Sequence, residues 1–254
     1  MKNALLAAVV AIGLGVACCA AQVGPAGTNA PPDKPLAGDA AALDALTKPY
    51  AEMAKKSYPA ARDRFLAGLP PKHAFLVSAR VFAKTGSFEQ IFVAVREIAD
   101  GKIKGRIASD VQHVPGYRLG DPFECREADI SDWVITGPDG SEEGNLVGKF
   151  LDAVQERRSP LILQMVVDGA GVVTTAKFHS AVNQSKQDIS YCIPDEVKRE
   201  AERLIAVQRY DPAGSIKTNY TYLFYDWLEK RIEPLKEASP APAGKTTTRT
   251  APAR

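Results

Sequence analysis

The chain has 254 residues, 45% of them hydrophobic and 24% charged. This is an ordinary globular composition; it excludes collagen-like, coiled-coil and wholly disordered chains, and the length allows one large or two small domains. With 32 Lys and Arg against 30 Asp and Glu the net charge is +2, which gives neither the clustered basic footprint of a nucleic-acid binder nor a basic helix for a membrane surface.

The first residues, Met1-Lys2-Asn3, precede an apolar run from Ala4 to Ala17 and then Cys18-Cys19-Ala20-Ala21-Gln22. One positive charge, a short apolar core and a small-residue end are the pattern of a bacterial secretory signal over 1–21. The run is shorter than the roughly 20 apolar residues a membrane helix needs. Two processing routes fit. Cleavage after Ala21 would release a soluble protein, whereas Leu14-Gly15-Val16-Ala17-Cys18 is a degenerate lipobox that would place lipid on Cys18 or Cys19 and anchor the same fold to a membrane. The Pro- and Gly-rich stretch 22–39 and the tail 238–254 have too little apolar surface to pack and are expected to be disordered.

A first globular region is expected over 40–154. Residues 40–46 and 50–66 carry helical spacing, and Pro49 and Pro59 predict short or kinked helices. Gly68, Pro70 and Pro71 end them. Alternating apolar residues predict strands over 75–83, 91–98 and 102–109, with Asp100-Gly101 as a hairpin turn. In the third strand Ile103 and Ile107 face inward and Lys102, Lys104 and Arg106 outward, an ordinary solvated basic face. Residues 119–125 read as a turn entering a strand, and 130–135 as another. Helices followed by short antiparallel strands predict a small bent sheet or open barrel. The polar stretch 155–160, ending in Pro160, reads as a domain boundary.

A second region is expected over 159–235. Strands over 161–167 and 172–178 flank the turn Asp168-Gly169-Ala170-Gly171. A helix is predicted over 193–209, with Asp195 and Glu196 at its positive end and Val197, Ala201, Leu204 and Ile205 on one face. A last strand over 218–225 places Thr218, Tyr220, Tyr222 and Phe224 on one side, and 226–231 closes it as a short helix or turn. The fold class is therefore α+β: N-terminal helices with a bent antiparallel sheet or open barrel, followed by a ββαβ module.

The segments FEQIFVAVREIADGKIKGRIAS, VPGYRLGDPFECREADISDW and DGSEEGN resemble the YegJ-type family of bacterial domains over about 50–154. That family brings no established activity. The resemblance marks Gly120, Asp121, Asp129, Ile130, Asp132, Trp133, Gly144 and Asn145 as its recurrent positions. Asp129 and Asp132, three apart, could share a proton or bind a cation; equally, Asp129 could cap a turn and Asp132 face solvent. Trp133 reads as core or as a stacking platform, and Gly144-Asn145 as a turn that needs positive φ. The pieces LQMVVDGAGVVTTAKFHSA and RYDPAGSIKTNYTYLFY, with Cys192 ahead of the helix, are similar to the C-terminal domain of TonB-like envelope proteins. That resemblance implies a module that binds another envelope protein by adding strands at an open sheet edge. Gln208-Arg209-Tyr210 replaces the usual aromatic pair, which sets energy transduction aside.

No catalytic residue, cofactor or metal site is expected. His73, His113 and His179 have no partner at triad or metal spacing, and there is no C-x-x-C, G-x-S-x-G or phosphate loop. Cys125 and Cys192, the two cysteines outside the leader, either pair in an oxidising compartment or remain buried thiols. The functional expectation is an exported envelope protein that binds or scaffolds another envelope protein, meeting the membrane only through a lipid anchor. The rival is a ligand-binding domain or hydrolytic enzyme with a pocket around Asp129, Asp132 and Trp133.

Overall fold

A helix of 29 residues, α1 (Asp39–Ala67), opens the computed structural model, which describes residues 39–83 and 88–233. The predicted signal, both lipidation candidates Cys18 and Cys19, the expected 22–39 linker up to 38 and the tail from 238 lie outside the described residues, while Asp39, the last residue of that expected linker, begins α1. Instead of breaking at Pro49 and Pro59, α1 runs through both. Its inner face explains the continuity: Ala54, Tyr58 and Ala61 are buried against the first sheet, on both sides of Pro59.

That sheet is antiparallel, curled into half a barrel, with strand order β4-β3-β2-β1-β5-β6. Its strands are β1 (Ala74–Phe82), β2 (Phe88–Ala99), β3 (Lys102–Ile107), β4 (Pro122–Arg126), β5 (Asp132–Thr136) and β6 (Glu142–Gly144). The β2–β3 turn is the expected one: Asp100 and Gly101 both have positive φ, 51° and 71°, as a two-residue hairpin of matching twist requires. Alternation puts Phe75, Val77, Ala79 and Val81 of β1 and Ile103 and Ile107 of β3 into the core under α1. The basic outer face of β3 is neutralised locally, Lys102 by Glu124 at 2.9 Å and Lys104 by Glu97 at 3.1 Å, while Arg106 donates to the Gly120 carbonyl at 2.8 Å.

Helix α2 (Leu146–Glu156) follows β6 directly; no sequence expectation covered it. Its buried Val147, Phe150 and Ala153 recur every three residues, so the apolar stripe was present. The expected boundary at 155–160 falls where the compact units part, between Ser159 and Pro160, but no linker separates them. Arg157, with φ 66°, turns the end of α2 straight into β7 (Arg158–Val167), and Ser159 is fully buried.

A second sheet, also antiparallel, has the order β10-β9-β7-β8. Strand β8 is Val173–Ala181, β9 Lys217–Asp226 and β10 Arg231–Ile232, and helix α3 is Asp195–Ala206. The ββαβ order is as expected. Helix α3 stops three residues short of Arg209, which instead forms a bridge with Val172. Leu161, Leu163, Met165, Val167, Leu223 and Tyr225 of the sheet and Ala201 and Ile205 of α3 are buried.

The described residues divide into two compact units, those up to 159 together with 180–194, and 160–179 together with those from 195. The second module is thus discontinuous, where the sequence reading had one uninterrupted stretch. Residues 180–194 belong to the first unit, and Cys192 goes with them.

Candidate functional site

Four of the eight residues singled out by sequence meet where β5 and β6 hand over to α2, and a fifth, Ile130, is buried in the core of the first sheet. Asp132 opens β5 and is 2% exposed. One carboxylate oxygen accepts the Trp133 N–H at 2.7 Å and the other the Val147 N–H at 2.6 Å. Residue 147 lies in the first turn of α2, whose own preceding residue, Asn145, makes no side-chain cap. A strand carboxylate therefore caps the helix from fourteen residues upstream, where positive partial charge and unpaired N–H groups favour an anion. Burial still outweighs those hydrogen bonds and the nearby Lys149 ammonium, and pushes the Asp132 carboxyl up to about 7.

Trp133 is core. Its indole N–H donates to the Ala54 carbonyl at 3.1 Å and the Ser57 hydroxyl at 3.0 Å, fastening β5 to α1. Gly144 has φ 81°, and a Cβ there would run into the Trp133 carbonyl and ring. Asn145 has φ 56° and is buried; its N–H donates to the Trp133 carbonyl at 2.7 Å and its side-chain amide to Glu142 at 2.9 Å. The expected positive-φ turn at Gly144-Asn145 is present.

Sequence reasoning missed the rest of this cluster. Glu142 also accepts from Gln187 at 3.0 Å, and its carbonyl accepts from the buried Lys149 ammonium at 3.3 Å. The Tyr191 hydroxyl donates to the Leu146 carbonyl at 2.6 Å, and its burial raises its pKa. Tyr191 meets Tyr50 edge-on at 5.9 Å, and Tyr50 packs on Phe150 at 4.1 Å. Gln187 and Tyr191 reach the cluster through a tertiary return of residues 180–194, which leaves no local pattern.

The other three residues lie elsewhere. Asp129 is held by both ends of the Arg126 guanidinium at 2.7 Å. Asp121 accepts the Arg118 N–H at 2.9 Å, and Gly120, at φ 87°, completes that turn. Asp129 and Asp132 thus have separate partners, Arg126 for one and the start of α2 for the other. Of the two readings the sequence left open, the arrangement is that of structural carboxylates, each oxygen named being engaged by a neighbour. A cleft of about 580 Å³ does open in this unit between the end of α1 and the β5–β6 turn, lined by Arg64, His73, Ile135, Ser141, Glu142 and Glu143. None of the eight lines it. Arg64 and Glu143 face each other across a bidentate pair of 2.7 and 2.8 Å.

Of the two alternatives for the thiols the structure has the second, not the disulfide: Cys125 and Cys192 are buried and free. Cys125 points into the core under α1 with Asp129 and Glu124 nearby, whereas Cys192 sits beside Tyr191 and Asp188. Burial pushes each thiol up to about 12, the condition of an inert packing cysteine. His113 lies 3.9 Å from Glu89, and the His179 ring meets Tyr220 at 5.1 Å. Among the described residues no three His, Cys, Asp or Glu side chains are placed to hold a metal ion, and no helix is long and apolar enough to cross a membrane.

In the second unit, Ala201 and Ile205 of α3 are buried, and among the described residues the first part of β9 is exposed. Tyr220 and Tyr222 of β9 are 57% and 60% exposed, and Tyr222 meets Phe224 edge-on at 5.5 Å. The outer edge of β9 is paired only at its end: Arg231 with Asp226, Ile232 with Tyr225, and the Glu233 N–H with the Phe224 carbonyl at 2.8 Å. Among the described residues no strand pairs with that edge over 217–223. No family model matches the chain, and neither a curated protein nor a solved structure does, so the functional reading stands on this geometry.

Proposed function

We propose that this is an exported, non-catalytic envelope protein whose second unit binds an extended segment of another envelope protein by strand addition to the outer edge of β9. The observation that carries the reading is that edge. Strand β9 is ten residues long, and among the described residues β10 covers two of them. An uncovered edge offers a row of N–H and C=O groups to any extended chain, and natural sheets usually protect it with charge, proline or a bulge. Residues 217–222, Lys-Thr-Asn-Tyr-Thr-Tyr, carry one charge and no proline. Main-chain bonds would supply affinity, and Tyr220 and Tyr222 would supply side-chain selectivity. The ββαβ order and the open edge support the TonB-like resemblance; export rests on the leader sequence. The carboxylate-pocket rival has no comparable support, since Asp132 caps a helix and Trp133 fills a core.

The test is photocrosslinking in the native bacterial envelope from a benzoylphenylalanine placed at Asn219. In β9 the Tyr220 N–H points outward, as Phe224 and Asp226 do, so Tyr220→Pro removes an edge donor and spares pairing with β7. A discrete crosslinked partner that disappears with Tyr220→Pro is expected. Crosslinking that is absent, or indifferent to that change, would sink the reading.

A further inference from the structure

The cleft between the end of α1 and the β5–β6 turn has spent its hydrogen-bond donors and kept its acceptors, and we propose that it binds a primary ammonium group carried on a short aliphatic chain. The site lies wholly in the first unit and does not depend on the strand-addition reading.

The donors are already engaged. Both ends of the Arg64 guanidinium are held by the Glu143 carboxylate at 2.7 and 2.8 Å, so its charge is matched. His73 Nδ1 lies 3.2 Å from the Pro71 carbonyl. A carbonyl only accepts, so Nδ1 carries the proton of the neutral ring and Nε2 is left as a lone-pair acceptor. Ser141 directs its N–H and its hydroxyl at Asp139 Oδ1, at 3.0 and 2.6 Å. The Gly137 N–H donates to the Ser141 carbonyl at 2.9 Å, and the Gly68 N–H to the Phe65 carbonyl at 3.1 Å.

What remains accepts. Glu142 takes the Asn145 and Gln187 amides on Oε2 alone, and among the described residues its Oε1 has no hydrogen-bond partner. A Cβ on Gly137 would stand 2.5 Å from Ser141 Oγ, 2.8 Å from Asp139 Oδ1 and 3.6 Å from His73 Nε2. Acceptors from the α1–β1 connection and from the β5–β6 turn therefore converge on one spot, and the missing side chain of Gly137 makes room for them. The Ser141 hydrogen bonds hold the Asp139 carboxyl below its usual range, which keeps it charged at neutral pH. Helix α1 turns its partially negative C-terminal end to the same cleft.

A ligand that fits must bring donors and positive charge. A metal ion fits less well, because among the described residues no three His, Cys, Asp or Glu side chains are placed to share one. An ammonium presents three N–H donors, which separate acceptors can satisfy. Leu69, Pro70 and Ile135 supply an apolar wall for the chain behind it. The volume of about 580 Å³ falls within the roughly 300–1,000 Å³ of small-molecule sites.

Two sources carry this group: a free diamine or diamino acid, and the lysine side chain of another protein. Nuclear magnetic resonance of the full chain separates them. Cadaverine and a lysine blocked at both backbone ends are titrated, with glutarate and doubly acetylated cadaverine as anionic and neutral counterparts. Saturable shifts of the Gly137, Ser141 and Glu142 amides are expected with the amines. Binding of cadaverine alone assigns the free amine; blocked lysine binding at least as tightly assigns the protein side chain. In Glu142→Gln the amides of Asn145 and Gln187 claim the new carbonyl, so an NH2 donor replaces the free acceptor. Binding should weaken by roughly tenfold or more, the loss of one charged hydrogen bond. Arg64→Gln releases Glu143 and should leave binding equal or tighter; its side chain is half exposed, so it serves if Glu142→Gln loosens the fold. The proposal is overturned if glutarate or the neutral compound shifts the same amides as strongly, or if no amine gives saturable shifts there. It is equally overturned by weaker binding in Arg64→Gln or by a folded Glu142→Gln that binds like the parent.

Discussion

Asp132 shows how one buried side chain holds two elements together and at what cost. It joins β5 to the first turn of α2 through two short hydrogen bonds, yet sits where charge is poorly solvated, so its carboxyl titrates near 7 instead of 3.8. A carboxyl that binds its proton more tightly when folded contributes most below pH 3.8, and that contribution is lost as pH rises through about 7. Asp132→Asn cannot titrate and offers a single acceptor to two N–H groups. The variant should be less stable than the parent at pH 4, with the gap narrowing by roughly 1–3 kcal/mol by pH 7.5; denaturant melts of both proteins across that range check it. Gly144 offers a second test. Gly144 and Gly140 have nearly the same φ, 81° and 80°, but a Cβ meets the Trp133 carbonyl at one and nothing at the other. Gly140→Ala should cost about 1 kcal/mol for the left-handed backbone, and Gly144→Ala at least about 2 kcal/mol more, read as the difference in unfolding midpoints.

At the scale of elements, α1 is the long lever of the first unit, and Trp133 is its main fastening. The indole N–H satisfies two oxygens on α1 while the ring lies 6.5 Å from Phe75. Glu127 adds a second tie, accepting from Tyr58 at 2.8 Å and Arg62 at 2.9 Å. Trp133→Phe keeps an aromatic ring but removes the donor and leaves a small void. It should lower stability by about 2–4 kcal/mol, seen as a lower denaturant midpoint at unchanged slope. The strands were readable because half-buried antiparallel strands alternate strictly. Helix α2 was not: Asn145 at its start is a usual capping residue but has φ 56° and makes no side-chain cap, that place being taken by Asp132 from another element.

At the scale of the molecule, the division into units does not follow the chain. Residues 180–194 return to the first unit and bring Tyr191 to the Leu146 carbonyl and Gln187 to Glu142. A fragment of residues 39–159 therefore lacks those bonds and the aromatic contact on Tyr50. It should melt well below the first transition of the intact chain, or fail to refold; adding a peptide of residues 180–194 should recover part of the loss. Circular dichroism melts of fragment, fragment with peptide and intact chain decide this. A fragment as stable as the intact chain would restore the simple boundary at 155–160.

Sequence by itself determined the α+β class, the ββαβ order of the second region, the Asp100-Gly101 hairpin and the left-handed turn at Gly144-Asn145. These depend on alternation, helical spacing and backbone conformations that neighbouring residues dictate. Only tertiary structure decided that Asp129 and Asp132 serve different partners, that Cys125 and Cys192 remain apart as buried thiols, and that α1 passes two prolines unbroken. Each of those outcomes depends on which distant groups arrive beside a residue. A carboxylate three positions from another carries no record of the helix N-terminus that will claim it, and a proline no record of the sheet that will hold its helix in place.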